Sequence, residues 1–235
     1  MPPPLLVFDL DGTLIDSRRD LADSTNELLA AHGAPPLPLE AVAGFVGDGA
    51  RVLVERALAA SGLALDLDRA LADFLAIYDR RLLVHTRPYP GIVTALERVA
   101  ARAAMAVLTN KPGRPTRALL DAFHLTRLFR WIVGGDGDAP RKPDPASLLR
   151  MMHEAGVSRD ATLMIGDSMV DVETARRAGA RILVARYGFG LARGLDLTGD
   201  EIVVDAPEDL GRVLDEFVVA RATSSSPSGS PTPAP

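Results

Sequence analysis

The sequence predicts an α/β fold in which a parallel β-sheet is covered by helices on both faces and interrupted by an all-helical insert. After residue 87, apolar segments of strand length alternate with segments of helical periodicity, which is typical of such a sheet. One more strand-like run, Leu5-Leu6-Val7-Phe8, lies near the N-terminus. The residues between these regions show only helical periodicity. We therefore predict a core of residues 1–15 and 87–221 and a helical insert of residues 16–86.

The insert is predicted to contain four helices, because apolar residues recur in it at helical spacing. The first begins near Asp16 or Ser17, either of which is a suitable cap, and the second is short, at residues 39–45. A third helix follows Gly49, and a fourth spans residues 68–83. No segment here has the alternation of a strand, so we expect the whole insert to be helical.

The remainder of the chain is predicted to alternate between strands and helices after a Pro-rich break at residues 88–91. The predicted strands are residues 104–108, 131–133, 162–165, 181–184 and 202–204, and the last helix covers residues 210–219. Residues 222–235 consist of Ser, Pro, Gly, Thr and Ala, and are expected to form a disordered tail.

Composition and charge restrict the classes of partner. The chain has 26 basic and 31 acidic residues and a net charge of −5, which disfavours nucleic acid as the main partner. It has no cysteine, and its four histidines lack the spacing of a zinc site. The start lacks the features of a signal peptide, and no apolar run is long enough to span a membrane. We therefore expect a cytoplasmic protein that acts on a small molecule.

Two carboxylates, Asp9 and Asp11, directly follow the first predicted strand. Side chains alternate along a strand, so both should project to the same side at its end, where their charges repel each other. A bound cation is the usual way to relieve that repulsion. Gly12 follows at once and lets the chain turn sharply and a ligand approach the backbone. The alternative is an ordinary solvated turn, so the interpretation depends on what the other strands provide.

Other predicted strands end in residues of complementary chemistry. In open parallel sheets ligands bind beyond the carboxyl ends of the strands, so these residues are expected to converge. They are Thr109 and Asn110 after the second strand, Lys142 after the third, and Asp167, Ser168 and Asp171 after the fourth. Each alone has a structural explanation, such as a helix cap or a surface lysine. Together with Asp9 and Asp11 they form the set needed for Mg²⁺-assisted phosphoryl transfer.

This hypothesis gives each residue a role. Asp9, the backbone carbonyl of Asp11, and Asp167 would hold Mg²⁺, and the free oxygen of Asp9 would attack phosphorus. Asp11 would protonate the leaving alkoxide and then activate the water that hydrolyses the aspartyl-phosphate. Of the others, Thr109 and Asn110 would bind phosphate oxygens, Lys142 would offset negative charge, and Asp171, with Ser168 beside it, would hold Lys142 or a metal-bound water.

Four segments that contain these residues resemble the four motifs of the haloacid dehalogenase-like hydrolase superfamily. The segments are Asp9-Leu10-Asp11-Gly12-Thr13-Leu14, Leu108-Thr109-Asn110-Lys111, Arg141-Lys142-Pro143 and Gly166-Asp167-Ser168-Met169-Val170-Asp171. The resemblance runs from about Leu5 to Val219. It implies a Rossmann-like, three-layer core whose first strand is central, with residues 16–86 as a helical cap domain. It also implies the roles given above for the same residues.

The cap region is similar to that of bacterial phosphoglycolate phosphatases, most clearly over residues 45–58. The segment Val133-Gly134-Gly135-Asp136 is also similar to that family. A Gly-Asp-Gly turn that opens a helix could offer N–H groups to a small carboxylate, although an ordinary helix start is an alternative explanation. The candidates for substrate selection are therefore Gly47, Asp48, Gly49 and Arg51.

The function implied is hydrolysis of 2-phosphoglycolate, and several alternatives remain. One is a phosphatase of the same superfamily that acts on another small phosphate ester. A β-phosphoglucomutase-like enzyme would keep the same aspartates and cap but return the phosphoryl group to a sugar. A haloacid dehalogenase fits less well, because it does not need Asp11 or the magnesium ligands. A signalling receiver would leave the insert unused, and an inactive scaffold has no lost motif to support it. The chain could act as a monomer or a homodimer.

Overall fold

The computed structural model describes residues 2–190 and 194–223, and its centre is a six-stranded parallel sheet. The described residues form eight strands, all of them in this sheet except β2 and β3: β1 Leu5–Phe8, β2 Ile15–Asp16, β3 Arg87–Pro88, β4 Ala104–Leu108, β5 Trp131–Val133, β6 Thr162–Gly166, β7 Arg181–Ala185 and β8 Ile202–Val204. The order in the sheet is β5-β4-β1-β6-β7-β8, with every neighbouring pair parallel. The predicted α/β class with a central first strand is therefore confirmed.

Nine helices are present in the described part of the chain. They are α1 Arg18–Ala31, α2 Leu39–Ala43, α3 Ala50–Ser61, α4 Leu67–Arg81, α5 Ile92–Val99, α6 Gly113–Ala122, α7 Ala146–Ala155, α8 Met169–Ala178 and α9 Leu210–Thr223. Two single turns of 3₁₀ helix are also present, Thr126–Leu128 and Pro207–Asp209. None of the helices in these described ranges combines the length and apolar character that a membrane span requires.

Strand β1 is buried on both faces, which explains its continuous apolar sequence. Leu6 and Phe8 belong to one buried cluster, which also contains apolar residues of α5, α6 and α9. Leu5 and Val7 belong to the cluster on the opposite face, with residues of α7 and α8. The sheet therefore lies between two helical layers, and the residues that follow β1 lie at its carboxyl edge.

The pairing of β1 brings three strand ends together. Phe8 is opposite Val107 of β4 on one side and opposite Ile165 of β6 on the other. Since all three strands run in the same direction, the residues that follow them lie side by side at one edge of the sheet.

Helices α1 to α4 form the insert, which packs through buried residues such as Leu28, Leu53 and Phe74. These side chains are continuous with the cluster on one face of the sheet. The insert therefore lies over the carboxyl edge of β1 rather than as a separate globule. The division of the chain into core and cap at residues 16 and 86 stays a prediction.

A short antiparallel ribbon joins the insert to the core. β2 pairs with β3 through Ile15 with Pro88 and Asp16 with Arg87. Each strand has only two residues, so no alternation could have predicted them. Next to this ribbon, the buried carboxylate of Asp20 accepts hydrogen bonds from the backbone N–H groups of His85 and Thr86. The two segments that connect insert and core, one leaving β1 and one returning to the sheet, are thereby held together.

Most predicted elements agree with the structure to within a few residues. Helix α2 ends at Ala43, two residues before the predicted end, and α9 extends to Thr223 instead of residue 219. The predicted disordered tail, apart from its first two residues, lies outside the described residues.

Candidate active site

Asp9 is the first residue beyond β1, and its side chain is buried at the centre of the carboxyl edge. Its backbone N–H donates to the carbonyl of Ile165 at 2.8 Å, which continues the β1–β6 ladder and fixes its position. Burial away from water raises the pKa of Asp9 from 3.8 to about 6, although the ammonium group of Lys142, 2.9 Å from Oδ1, favours the ionised form. At neutral pH Asp9 is therefore ionised and faces a fixed positive charge.

Lys142 is held between two carboxylates. Its Nζ lies 2.6 Å from Oδ1 of Asp171 and 2.9 Å from Oδ1 of Asp9, and the side chain is 2% exposed. The pKa of Lys142 is raised above its usual value because the two carboxylates outweigh the cost of burial. A permanent positive charge therefore lies beside Asp9.

Asp171 is itself fixed by the start of α8. Its Oδ2 accepts hydrogen bonds from the backbone N–H of Ser168 at 3.1 Å and from the Ser168 hydroxyl at 2.7 Å. The Ser168 hydroxyl and Asp171 thus form a capping box at the first turn of the helix. Ser168 thus holds Asp171, and Asp171 contacts Lys142, which is the arrangement predicted for these residues.

Asp167 follows β6 and is buried opposite Asp9. Its Oδ2 accepts hydrogen bonds from the backbone N–H groups of Phe189 at 2.7 Å and Gly190 at 3.0 Å. Burial and the neighbouring carboxylates of Asp171 and Asp9 nevertheless hold the pKa of Asp167 well above its usual range. The ionised form of this carboxyl group is therefore unfavourable unless a cation binds beside it.

Gly12 allows this close packing. Its φ is +85°, in the left-handed region that favours glycine, and a Cβ at this position would overlap the carboxylate of Asp167. The glycine predicted to permit a sharp turn and a close approach therefore does both.

Three carboxylates form one cluster. Oxygen atoms of Asp9, Asp167 and Asp171 all lie within 4.8 Å of one another, and the three residues are buried. The single ammonium group of Lys142 does not balance three negative charges. The predicted metal ligands Asp9 and Asp167 are thus together, with Asp171 as a third acid turned toward Lys142.

The side chain of Asp11 points toward the insert rather than into this cluster. Its Oδ1 accepts a hydrogen bond of 2.5 Å from the hydroxyl of Ser17, and both of its oxygens lie 3.1 Å from Nζ of Lys111. Ser17 stands at the cap position of α1, but its hydroxyl makes no capping bond there. Ser17 therefore occupies one of the two predicted cap positions without a capping bond, whereas Oδ1 of Asp16, the other candidate, accepts a hydrogen bond from the backbone N–H of Arg18 at 3.2 Å.

Thr109 and Asn110 follow β4 and are buried next to Asp9. The Oγ1 of Thr109 accepts a hydrogen bond from the backbone N–H of Lys111, and the residue lines a cavity together with Asp9. Asn110 Nδ2 donates to the carbonyls of Gly47 and Lys142, both at 3.0 Å. Asn110 therefore joins the insert to the loop that bears Lys142, and both Thr109 and Asn110 line the cavity.

The four residues proposed for substrate selection are divided by the structure. Gly47 and Gly49 line the cavity between insert and core. Asp48 instead forms an ion pair of 2.6 Å with Arg56, and Arg51 pairs with Asp68 on the neighbouring helix. Asp48 and Arg51 therefore do not line the cavity, which this loop lines with Val46, Gly47, Gly49 and Ala50 instead.

Two site residues were not identified in the sequence analysis. Lys111 is part of the second motif, and Tyr78 lies within the predicted fourth helix of the insert, residues 68–83. The Tyr78 hydroxyl lies 2.6 Å from Nζ of Lys111, and burial raises the pKa of Tyr78 to about 12. For Lys111, its place directly after Asn110 at a strand end was an available signal. For Tyr78 no signal existed, because its pairing depends on how the insert docks.

Comparison with known proteins supports one family. Residues 6–185 match the family of haloacid dehalogenase-like hydrolases. Phosphoglycolate phosphatase 1 of Pseudomonas aeruginosa is 43% identical over 215 residues, which cover 88% of this chain and 78% of that protein. Phosphoglycolate phosphatase of Rhodospirillum rubrum is 45% identical over 195 residues, covering 80% and 81% of the two chains.

A solved structure agrees with this match. It is described as a predicted phosphoglycolate phosphatase from Haemophilus somnus, and it superposes with a TM-score of 0.82 at 29% identity. The superposition covers 90% of this chain and 97% of that one. The similarity therefore includes both the sheet and the helical insert.

Proposed function

The chain belongs to the haloacid dehalogenase-like hydrolase family and is a phosphatase; from this we propose that it hydrolyses 2-phosphoglycolate to glycolate and phosphate, with Mg²⁺ and an aspartyl-phosphate on Asp9. The observation that carries the proposal is the convergence of four separate segments at the end of β1. Asp9 lies 2.9 Å from Lys142, and its carboxylate is within 4.8 Å of those of Asp167 and Asp171.

The donor set suits a hard divalent cation. Asp9 and Asp167 offer carboxylate oxygens in a buried cluster with an excess of negative charge, and oxygen ligands are those that Mg²⁺ prefers. These two residues, with the backbone carbonyl of Asp11, would hold the ion. When bound, Mg²⁺ would neutralise charge on the phosphoryl oxygens and on the carboxylates.

The chain's own residues account for the covalent steps. A carboxylate oxygen of Asp9 attacks phosphorus, and the bond from phosphorus to the leaving oxygen breaks as Asp11 gives that oxygen a proton. In the second step Asp11 takes a proton from a water molecule, whose oxygen attacks the phosphorus. The bond to Asp9 then breaks, and phosphate leaves. Because Asp11 points toward the insert, it lies on the side from which the leaving group would enter.

Lys142 and Thr109 act on the phosphoryl group. Lys142 remains charged and lies next to Asp9, so it offsets the negative charge that accumulates as nucleophile and phosphate approach each other. The hydroxyl of Thr109 lines the same cavity and is suited to donate to a phosphoryl oxygen. Asp171 holds Lys142 in place.

The choice of substrate is supported by the relatives and by the cavity. Two relatives above 40% identity bear the name phosphoglycolate phosphatase. The cavity beside Asp9 and Asp11 has a free volume of about 40 Å³ and is lined by residues of the insert as well as of the core, which favours a small leaving group.

The test is a measurement of phosphate release by the purified protein with a panel of phosphomonoesters. We expect the highest kcat/KM for 2-phosphoglycolate, compared with glucose 1-phosphate and p-nitrophenyl phosphate. EDTA should stop the reaction and excess Mg²⁺ should restore it, but Ca²⁺ should not, because Ca²⁺ prefers a larger and looser shell of ligands. Conversion of β-glucose 1-phosphate to glucose 6-phosphate without phosphate release would instead identify a mutase.

A further inference from the structure

We propose that Lys111, assisted by the hydroxyl of Tyr78, binds the carboxylate of the substrate and thereby selects phosphate esters of small hydroxy acids. The inference rests on the proposed function, since it concerns the carboxylate of the proposed substrate and not its phosphate. It makes Lys111 the residue that distinguishes phosphoglycolate from neutral phosphomonoesters.

The first observation is the unusual use of lysine. Lys111 and Lys142 are the only lysines among 235 residues, whereas 24 basic residues are arginines. Both lysines are buried, at 7% and 5% exposure, although lysine is rarely buried without a specific partner. Lys142 is explained by Asp9 and Asp171. Lys111 is paired with Asp11 and the Tyr78 hydroxyl, but it has no task in the chemical steps, so a role in substrate binding is open to it.

The second observation is the position of the Lys111 ammonium group between core and insert. Nζ lies 3.1 Å from both oxygens of Asp11 and donates to the Tyr78 hydroxyl at 2.6 Å. It also lies 4.5 Å from the centre of the Tyr78 ring. Asp11 belongs to the core and Tyr78 to α4 of the insert, so an anion bound by Lys111 would contact both parts of the chain.

The third observation is the character of the cavity. The insert contributes an apolar wall, made of Leu21, Val46, Ala50, Leu53, Phe74 and Leu75. Among the residues found to line this cavity, Lys111 is the one with a cationic side chain. A sugar would place several hydroxyl groups against aliphatic carbon, where they lose their hydrogen bonds to water. A carboxylate needs only one cation and a few donors, and those are what the cavity offers.

The chemistry of the substrate places its carboxylate next to this lysine. In phosphoglycolate the carboxylate is attached to the carbon that bears the leaving oxygen. Asp11 must reach that oxygen to protonate it, and Lys111 is in contact with Asp11. A group one carbon away from the leaving oxygen therefore lies within reach of Nζ, which moves from Asp11 toward the substrate when the carboxylate arrives.

The main test compares two esters that differ in charge, 2-phosphoglycolate and 2-hydroxyethyl phosphate. Replacement of Lys111 by methionine keeps the length of the stem but removes the charge. We expect Lys111→Met to lower kcat/KM for phosphoglycolate by about 100-fold or more, since a buried charge pair loses one partner. For 2-hydroxyethyl phosphate we expect a loss below about 10-fold. An equal loss for both esters would overturn the proposal, because Lys111 would then act only by positioning Asp11.

A matched pair of tyrosine variants tests the second half of the proposal. Tyr78→Phe should lower kcat/KM for phosphoglycolate by about 10-fold while sparing the neutral ester. Tyr89 provides the control, since its buried hydroxyl has no hydrogen-bond partner among the described residues and it does not line the cavity. Tyr89→Phe should leave both substrates unaffected. Equal behaviour of the two tyrosine variants would remove Tyr78 from the proposed pair.

Chemical labelling provides a readout that does not depend on turnover or on a variant of Lys111. With only two lysines, reductive methylation followed by mass spectrometry reports on Lys111 and Lys142 separately. In Asp9→Asn protein, phosphoglycolate and 2-hydroxyethyl phosphate should both protect Lys142, but only phosphoglycolate should protect Lys111. Identical protection of Lys111 by both esters would contradict carboxylate binding.

These experiments distinguish failure of the proposed substrate from failure of carboxylate binding by Lys111. If the wild-type protein hydrolyses both esters equally well, carboxylate recognition fails while phosphatase activity remains. If it hydrolyses neither, but does hydrolyse another phosphomonoester, the proposed substrate fails. In that case protection of Lys111 by phosphoglycolate alone would still support a carboxylate site, and its absence would overturn the inference as well.

Discussion

The ammonium group of Lys142 lies 2.6 Å from Oδ1 of Asp171, and neither side chain is more than 2% exposed. This contact connects the loop after β5 to the first turn of α8, two segments far apart in sequence. A buried ion pair of this kind is costly to break from one side, because the remaining charge has no water to solvate it. Loss of the Lys142 charge is therefore expected to lower the free energy of unfolding as well as the activity.

Replacement of Lys142 by methionine should remove both activity and stability. Asp9 and Asp171 would lose their shared cation, so we expect turnover to fall by several powers of ten and the free energy of unfolding to fall by about 3–5 kcal/mol. Urea unfolding and phosphate release measure the two effects. Arg212→Met is a control, because Arg212 makes exposed ion pairs with Glu216 and Asp209, each worth about 0–1 kcal/mol. Similar unfolding curves for the two variants would contradict this account of Lys142.

Asp9→Asn should abolish turnover without loss of stability in metal-free protein. The pKa of Asp9 rises from 3.8 to about 6 on folding, so the folded state binds this proton more tightly than the unfolded state. The ionised carboxylate therefore lowers stability as pH increases from about 4 to 6, and the full penalty is present above pH 6. An asparagine avoids this penalty, while Asp171 still pairs with Lys142.

Thermal melting of Asp9→Asn and wild type in EDTA at pH 8, with parallel phosphate-release assays, tests this prediction. The variant should melt at the same temperature as wild type or higher, and its phosphate release should be at background level. Substantial turnover by the variant would exclude Asp9 as the nucleophile. A strongly lowered melting temperature would mean that the Asp9 carboxylate stabilises the fold instead of destabilising it.

Gly12→Ala should weaken the metal site more than it weakens the fold in general. A Cβ on Gly12 would overlap the Asp167 carboxylate, and φ of +85° adds a backbone penalty of about 1–2 kcal/mol. Gly33→Ala is a matched control, since its φ is +75° but nothing lies within 4 Å of its Cβ position. Both variants should lose stability, and only Gly12→Ala should require more Mg²⁺ for half-maximal activity. An equal Mg²⁺ requirement would show that Asp167 moves aside without cost.

Asp20→Asn should loosen the crossing between insert and core. Asp20 accepts hydrogen bonds from the backbone of His85 and Thr86 and from the Thr86 hydroxyl, and it is 1% exposed. Loss of the charge and of acceptor capacity should cost about 1–3 kcal/mol in unfolding free energy. Asp23→Asn, on the same helix but with partly exposed ion pairs, should cost under about 1 kcal/mol. Equal costs for the two variants would argue against a structural role of Asp20.

Features of this molecule are predictable from the sequence when they depend on a short stretch of residues or on a general rule of sheet topology. Strands such as Ala104–Leu108 are apolar runs bounded by turns, so their positions were predicted closely. The convergence of Asp9, Thr109 and Asp167 followed from a general property of parallel sheets and needed no side-chain detail. Features that depend on local pattern and on topology are therefore accessible from one sequence.

What could not be predicted depends on docking between distant segments. Arg51 was proposed to face the substrate, but it pairs with Asp68 because α3 packs beside α4, a contact that neither helix encodes alone. The contact between Tyr78 and Lys111 arises in the same way, across the junction of insert and core. The direction of a polar side chain at such a junction is set by tertiary packing and not by spacing in the sequence.

Binding of Mg²⁺ should weaken as pH falls, because protons compete for the same carboxylates. The pKa of Asp9 is raised to about 6 and that of Asp167 is well above its usual range, both mainly through burial. A metal ligand must be deprotonated, so each proton displaced lowers the apparent affinity by up to about tenfold per pH unit below its pKa. We expect the dissociation constant for Mg²⁺, measured by titration calorimetry, to increase steeply between pH 7 and pH 5.5. In Asp167→Asn one of these titrating groups is gone, so binding should be weaker at pH 8 and its pH dependence shallower. An affinity that is constant over this range would mean that neither carboxylate holds the ion.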